Sequence, residues 1–63
     1  MITVNGKQVQ HVDTVQQLIT QYGLSDRIVI VEVNREIVMK EQYEMTRLSH
    51  GDCIEIVHFV GGG

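Results

Sequence analysis

Asp13-Thr14-Val15-Gln16-Gln17-Leu18-Ile19-Thr20-Gln21-Tyr22-Gly23 is the segment on which the fold turns. Val15, Leu18, Ile19 and Tyr22 stand at i, i+3, i+4 and i+7, which places them on one stripe of a helix. Asp13 or Thr14 can cap the first turn, and a glutamine lies three residues beyond either one, the capping-box arrangement. Gly23 suits the left-handed residue just past a helix end. The helix is apolar on one side only, so it should lie across a sheet. A partner helix docking on the stripe is the competing reading, but a domain with so little core needs every apolar face it has.

Working outward toward the N-terminus, Ile2 and Val4 alternate with Thr3 and stop at Asn5-Gly6, and Val9 and Val12 follow with polar residues between them. Asn and Gly tolerate the positive φ of tight primed turns, so the pattern predicts a hairpin with strands near 1–5 and 7–12. In the other direction, Arg27-Ile28-Val29-Ile30-Val31-Glu32-Val33-Asn34 is rich in β-branched residues and predicts a central strand. Its first half is apolar on both faces, as expected for a strand covered at least partly on each side. Asn34-Arg35-Glu36 is a turn and Ile37-Val38-Met39 a short strand. Residues 40–50 form an irregular crossover anchored by Tyr43, Met45 and Leu48, closing with the turn cluster Ser49-His50-Gly51-Asp52. Cys53-Ile54-Glu55-Ile56-Val57-His58-Phe59-Val60 is the last strand, and Gly61-Gly62-Gly63 follows it. The order ββαβ, short β, β predicts an α+β layer with one helix packed across a mixed sheet. The helix supplies a crossover, so the first and last strands can lie side by side in the middle.

A chain of 63 residues holds one domain, here 1–63, and buries only roughly 60% of the surface its unfolded form exposes. Hydrophobic residues at 43% and charged residues at 21% match an ordinary globular domain and argue against disorder. Five Lys and Arg against eight Asp and Glu give a net charge of −3. That balance suits neither nucleic acid nor an anionic membrane, and Lys7, Arg27, Arg35, Lys40 and Arg47 are too scattered to form a basic stripe. A single cysteine, Cys53, excludes an intramolecular disulfide and favours a reducing, cytoplasmic setting. No apolar run reaches a membrane span, and the opening residues lack the basic-then-apolar order of a secretory signal. A deep catalytic pocket is hard to build at this size, so a binding module or carrier is expected rather than an enzyme.

Candidate chemistry inside the body of the chain is sparse. Cys53 as a reactive thiol needs a nearby cation or a helix N-terminus, and neither is evident; a small strand residue is the simpler reading. His11, His50 and His58 do not join Cys53 in paired metal-ligand spacing. His50-x-x-Cys53 is a lone pair, and Cys53 and His58, five apart on a strand, point to opposite faces. No metal site is expected. No Ser/His/Asp set has nucleophile context, and Glu41 and Glu44 read as solvating a loop.

The glycine end is the informative feature. Gly is about 7% of average composition, so two terminal glycines arise by chance in roughly one chain in two hundred. An added or loose end remains the bland alternative. The tail follows an apolar strand directly, however, and nothing else in the chain resembles a tag. Glycine has no side chain, so an extended glycine terminus can thread a narrow channel into another protein's active site. The reactive group would be the α-carboxylate of Gly63, a poor electrophile until adenylation by ATP makes it a mixed anhydride. Gly61-Gly62-Gly63 is no phosphate-binding loop, because no Lys-Ser/Thr follows and no helix begins there, so a partner must supply the nucleotide site.

The run Gly51-Asp52-Cys53-Ile54-Glu55-Ile56-Val57-His58-Phe59-Val60-Gly61-Gly62-Gly63 closely resembles the end of the ThiS family, the bacterial sulfur carriers of thiamine biosynthesis. Ile2-Thr3-Val4-Asn5-Gly6-Lys7, the helix start at Asp13–Leu18, and Ile28-Val29-Ile30-Val31-Glu32 followed by Asn34 are also similar to it. The resemblance spans essentially the whole chain. It implies a ubiquitin-like β-grasp fold and a cycle run by partners, with no cofactor bound to the carrier itself. A ThiF-like adenylyltransferase would activate Gly63 with ATP, and a cysteine desulfurase or related donor would supply sulfur for a terminal thiocarboxylate. A ThiG-like thiazole synthase would take that sulfur for the thiazole ring. Gly62 and Gly63 carry over as the diglycine that enters partner active sites, and Gly61 extends its reach.

Alternation locates the surface that would guide the tail. If Ile54 and Ile56 face the helix, then Glu55, Val57 and Phe59 face outward. Val57 and Phe59 would form an exposed apolar patch leading through Val60 and Gly61 into the tail, a partner-binding strip. The competing reading covers this strand on both faces with crossover residues such as Tyr43 and Met45. Three rival functions stay open: the small subunit of molybdopterin synthase, whose members tend to be longer and to carry a proline before the diglycine; a ubiquitin-like modifier; and an inert β-grasp interaction module.

Overall fold

The computed structural model describes residues 1–59. Its elements are β1 (Ile2–Val4), β2 (Lys7–Val9), α1 (Val15–Gln21), β3 (Val29–Val33), β4 (Glu36–Val38), a single 3-10 turn (Lys40–Gln42) and β5 (Cys53–His58). The sheet order is β2-β1-β5-β3-β4. β1 and β5 pair in parallel, while β1–β2, β3–β4 and β3–β5 pair antiparallel. The expected mixed sheet with adjacent first and last strands is therefore present, and β5 is its middle strand.

Local chemistry accounts for each junction. The β1–β2 turn places Asn5 at φ 51° and Gly6 at φ 83°, the two positive angles of a primed two-residue hairpin. Thr14 rather than Asp13 caps α1, its hydroxyl accepting from the Gln17 N–H at 3.1 Å. The Gln17 amide oxygen reaches back to accept from the Asp13 N–H at 2.7 Å, one residue earlier than in the standard capping box. At the other end, Gly23 sits at φ 71° and donates to the Thr20 carbonyl, while Leu24 donates to the Ile19 carbonyl. This pair of bonds closes the helix as a Schellman motif, with Leu24 packed against the core.

The core is one cluster on one side of the sheet. Ile2 and Val4 from β1, Val31 from β3, and Ile54 and Ile56 from β5 meet Val15, Leu18 and Ile19 of α1, and Tyr43 and Leu48 close the edge. Burial first, and then the charge of Glu41, pushes the Tyr43 phenol above its ordinary 10.0, so the fold holds the neutral form. The crossover is tied to the helix start: Val15 donates to the Thr46 carbonyl, Gln16 to that of Tyr43, and Leu48 to that of Asp13.

Several expectations are corrected. Tyr22 leaves the buried stripe, because it is the C-cap residue and stays 42% exposed. Met45 is no anchor; the turn after Gln42 sends Tyr43 inward and leaves Met45 in solvent. The strands are shorter than their apolar patterns, with β2 ending at Val9 and β3 starting at Val29. β3 is covered on one face only. Val31 is buried against the helix, whereas Ile30 is 42% and Ile28 73% exposed, since the sheet carries its single helix on the other side.

Candidate functional site

Each outward position of β5 has a partner fixed by the ladder. In the β3–β5 pairing, Glu32 stands opposite Glu55 and Ile30 opposite Val57. One step further on, the Phe59 N–H donates to the Ile28 carbonyl at 3.3 Å, continuing the same register past the strand end. The outer face of the strand pair therefore reads, toward the tail, Glu32–Glu55, Ile30–Val57, Ile28–Phe59. Val57 is 53% and Phe59 54% exposed, as alternation predicts. The covered-strand reading fails, because Tyr43 is in the core and Met45 lies beside Gln16, Lys40 and Glu41 on the helix side.

Two of the four sequence-predicted partner-binding residues are thus brought to one surface. Val60 and Gly61, together with the proposed reactive pair Gly62 and Gly63, lie outside the described residues. Sequence reasoning missed Ile28 and Ile30 as parts of the patch. The available signal was the run of apolar residues with no polar alternation, which was read as two-sided burial; a sheet with one helix leaves one of those sides to water.

β5 is held on both flanks by asparagine side chains that imitate a strand backbone. The Asn5 amide accepts from the Ile56 N–H at 2.8 Å and donates to the Ile56 carbonyl at 3.1 Å. On the other flank, the Asn34 amide oxygen accepts from the Cys53 N–H at 3.0 Å, and its NH2 group donates to Asp52 Oδ1 at 3.0 Å. Both asparagines sit at positive φ, at 51°, where Asn is better tolerated than most residues. Three of these bonds hold the backbone of the strand that leads to the glycine end, and the fourth ties Asn34 to the turn before it, none of them occupying the outward side chains.

Of the other groups weighed from the sequence, His11 and His50 have structural partners. The Cys53 thiol is free and exposed at the far end of β5 from the tail. His11 donates through Nε2 to the Leu48 carbonyl at 2.8 Å, and the His50 ring lies 2.7 Å, at Nδ1, from the terminal amino group of Met1. Among the described residues no group of three or more metal-ligating side chains occurs, and no helix is long and apolar enough to cross a membrane. Among the described residues, a depression of about 170 Å³ lined in part by Ile19, Arg27, Ile28 and Tyr43 is smaller than the usual ligand-sized pocket, and larger ones, up to about 660 Å³, are shallow and open to solvent.

Comparison with known proteins gives this geometry a context. The chain is 50% identical over 66 aligned residues to the sulfur carrier protein ThiS of Bacillus subtilis, with 100% of both chains covered. It superposes on the crystal structure of the thiamine biosynthesis protein ThiS from Geobacter metallireducens with a TM-score of 0.75 and 33% identity, covering 98% of this chain and 97% of that one. The sheet order and single helix described above are therefore those of the ubiquitin-like β-grasp. A third similarity is to a thiazole synthase of Paramagnetospirillum magneticum, 46% identical over 50 residues, which are 79% of this chain but 15% of that protein. The family model described as the ThiS family matches residues 1–63, and the chain belongs to this family of sulfur carriers.

Proposed function

We propose that the chain carries sulfur for thiazole formation in thiamine biosynthesis as a thiocarboxylate on Gly63, and acts as a consumed and regenerated co-substrate rather than as an enzyme. The single observation that carries this reading is the 50% identity to a sulfur carrier across the full length of both chains. A ThiF-like adenylyltransferase binds the ATP, and the carrier itself holds no cofactor. The Gly63 carboxylate attacks the α-phosphorus, pyrophosphate leaves, and the acyl adenylate forms. Sulfur from a cysteine desulfurase or related donor then displaces AMP at the carbonyl. ATP-dependent activation by a soluble partner suits the cytoplasm. Gly62 and Gly63 enter the partner's active site, and Val57 and Phe59, with Val60 and Gly61 beyond them, dock outside it.

A thiazole synthase accepts the sulfur. This step is supported by thiazole synthases whose own polypeptides contain a segment similar to this chain. Tethering a carrier to its acceptor raises the effective concentration of one for the other, which makes sense only if the two meet in each cycle.

Intact-mass measurement of the purified chain after incubation with the adenylyltransferase, ATP and a sulfur source tests the chemistry. The expected result is a gain equal to exchanging one oxygen for sulfur, absent in a chain lacking Gly62 and Gly63. No gain with a demonstrably active partner overturns it. Phe59→Asp tests the docking strip. Its side chain is half out in solvent, so the fold should persist while adenylation slows about tenfold or more. Unchanged kinetics in the folded variant would remove the strip from the reading.

A further inference from the structure

We infer that the outer face of β3 and β5 is built for a cationic partner surface, with Glu32 and Glu55 as a specificity-determining pair for Arg or Lys side chains of the thiazole synthase. The inference rests on the docking reading above and goes beyond it by naming charge as well as apolar contact.

Glu32 and Glu55 stand directly opposite each other across the β3–β5 ladder, on the outward face. Like charges in directly opposed positions destabilise a sheet. Nothing in the core requires acids there, because the inward residues Val31, Val33, Ile54 and Ile56 make the contacts with the helix side. Nor does the fold neutralise them from the same face. The other outward strand positions are Thr3, Gln8, Ile30, Ile37, Cys53 and Val57, and among the described residues no Lys or Arg occupies one. A local arrangement that works against the fold, without compensation nearby, is where a functional constraint is expected.

The surroundings say what that constraint is. Ile30 and Val57 lie two residues along the strands from the acid pair, about 7 Å away, and Ile37 stands opposite Glu32 on β4. Two carboxylates framed by exposed aliphatic side chains match a partner with an apolar centre and one or two cations a strand-repeat from it. A second copy of this chain is a poor occupant, since it would bring two more carboxylates to the same place and a further net charge of −3.

Glu55→Lys separates binding from folding, because it converts a repulsive cross-strand pair into an attractive one. Thermal unfolding of the free full chain should rise by about 1–5 °C. Affinity for the same organism's thiazole synthase, measured by calorimetry, should fall about tenfold. The wild-type affinity should weaken as salt rises, and that of Glu32→Gln/Glu55→Gln should be weaker at low salt and respond less to it. Wild-type affinity in Glu55→Lys, or a salt response unchanged in the double glutamine variant, overturns the inference. Phe59→Asp in the same titration tells the two readings apart. If it binds weakly while the glutamate variants bind normally, docking stands and the charge assignment falls. If the wild type and all variants fail to bind the synthase, both fall together.

Discussion

The inward face of β5 sets Ile54 and Ile56 among the aliphatic side chains of α1, β1 and β3, whereas its outward face sets Glu55, Val57 and Phe59 against water. The two sets alternate from Ile54 to Phe59, the last of which stands just past the strand end. One set is fixed by packing, since each side chain must fill a space defined by several others. The other meets no such demand, yet it is mostly apolar and ends at the glycine terminus. Stability explains the first set and not the second, and this asymmetry is what the proposed docking role accounts for.

The largest test of the comparison lies on the inner face. Ile54→Ala should cost about 3–4 kcal/mol, the usual toll for a fully buried isoleucine with nothing to refill its space. A chain of 63 residues commands only about 3–9 kcal/mol in all, so this variant should be largely unfolded or close to it by circular dichroism. Next comes the flank of the strand. Asn5→Ala removes both bonds to the Ile56 backbone and puts alanine at a φ of 51°, and should cost about 2–3 kcal/mol in chemical denaturation. A loss under about 0.5 kcal/mol would mean that the amide is dispensable and that backbone pairing alone places β5.

How much of this could be read from the residues depends on whether the signal was local. The Asn5-Gly6 hairpin, the Thr14 and Gly23 helix boundaries and the inward pair Ile54 and Ile56 were legible, because turn chemistry and periodicity act over a few residues. The open outer side of β3 was not, since a doubly apolar strand looks the same whether covered or exposed; only the number of layers decides, and that is a property of the whole chain. The Glu32–Glu55 opposition was likewise invisible. It arises from a register between residues 23 positions apart in sequence, set by β3 and β5 pairing rather than by either strand. For the glycine tail, the residues themselves suggest a carboxylate reaching into a partner's active site, and the expectation that it carries sulfur comes from family resemblance alone.

A smaller effect is expected at the second hairpin, where Asn34 and Arg35 take the positive angles that Asn5 and Gly6 take in the first, at φ 51° and 72°. Arginine at such an angle carries a Cβ strain that glycine lacks. Arg35→Gly should therefore stabilise the free chain by about 0.5–1 kcal/mol, the strain relieved exceeding the added entropy of the unfolded glycine. Equilibrium denaturation of the two chains side by side checks the sign, and a destabilised variant would show that the arginine side chain contributes contacts worth more than the strain.

The smallest effect, and the sharpest for the comparison, is Val57→Thr. The substitution keeps the β-branch and the strand propensity and exchanges one exposed methyl for a hydroxyl. On a face that does not hold the fold together, it should change stability by less than about 0.5 kcal/mol in either direction. The same residue exchange at the inward Val31, fully buried, places a hydroxyl in the core and should cost more than about 1 kcal/mol. Equal losses at the two sites would mean that the outer face is packed against something in the free protein, and the partner assignment would lose its footing. A neutral Val57→Thr that nonetheless slows adenylation would place the value of that methyl group in the complex, since the free chain gains nothing from it.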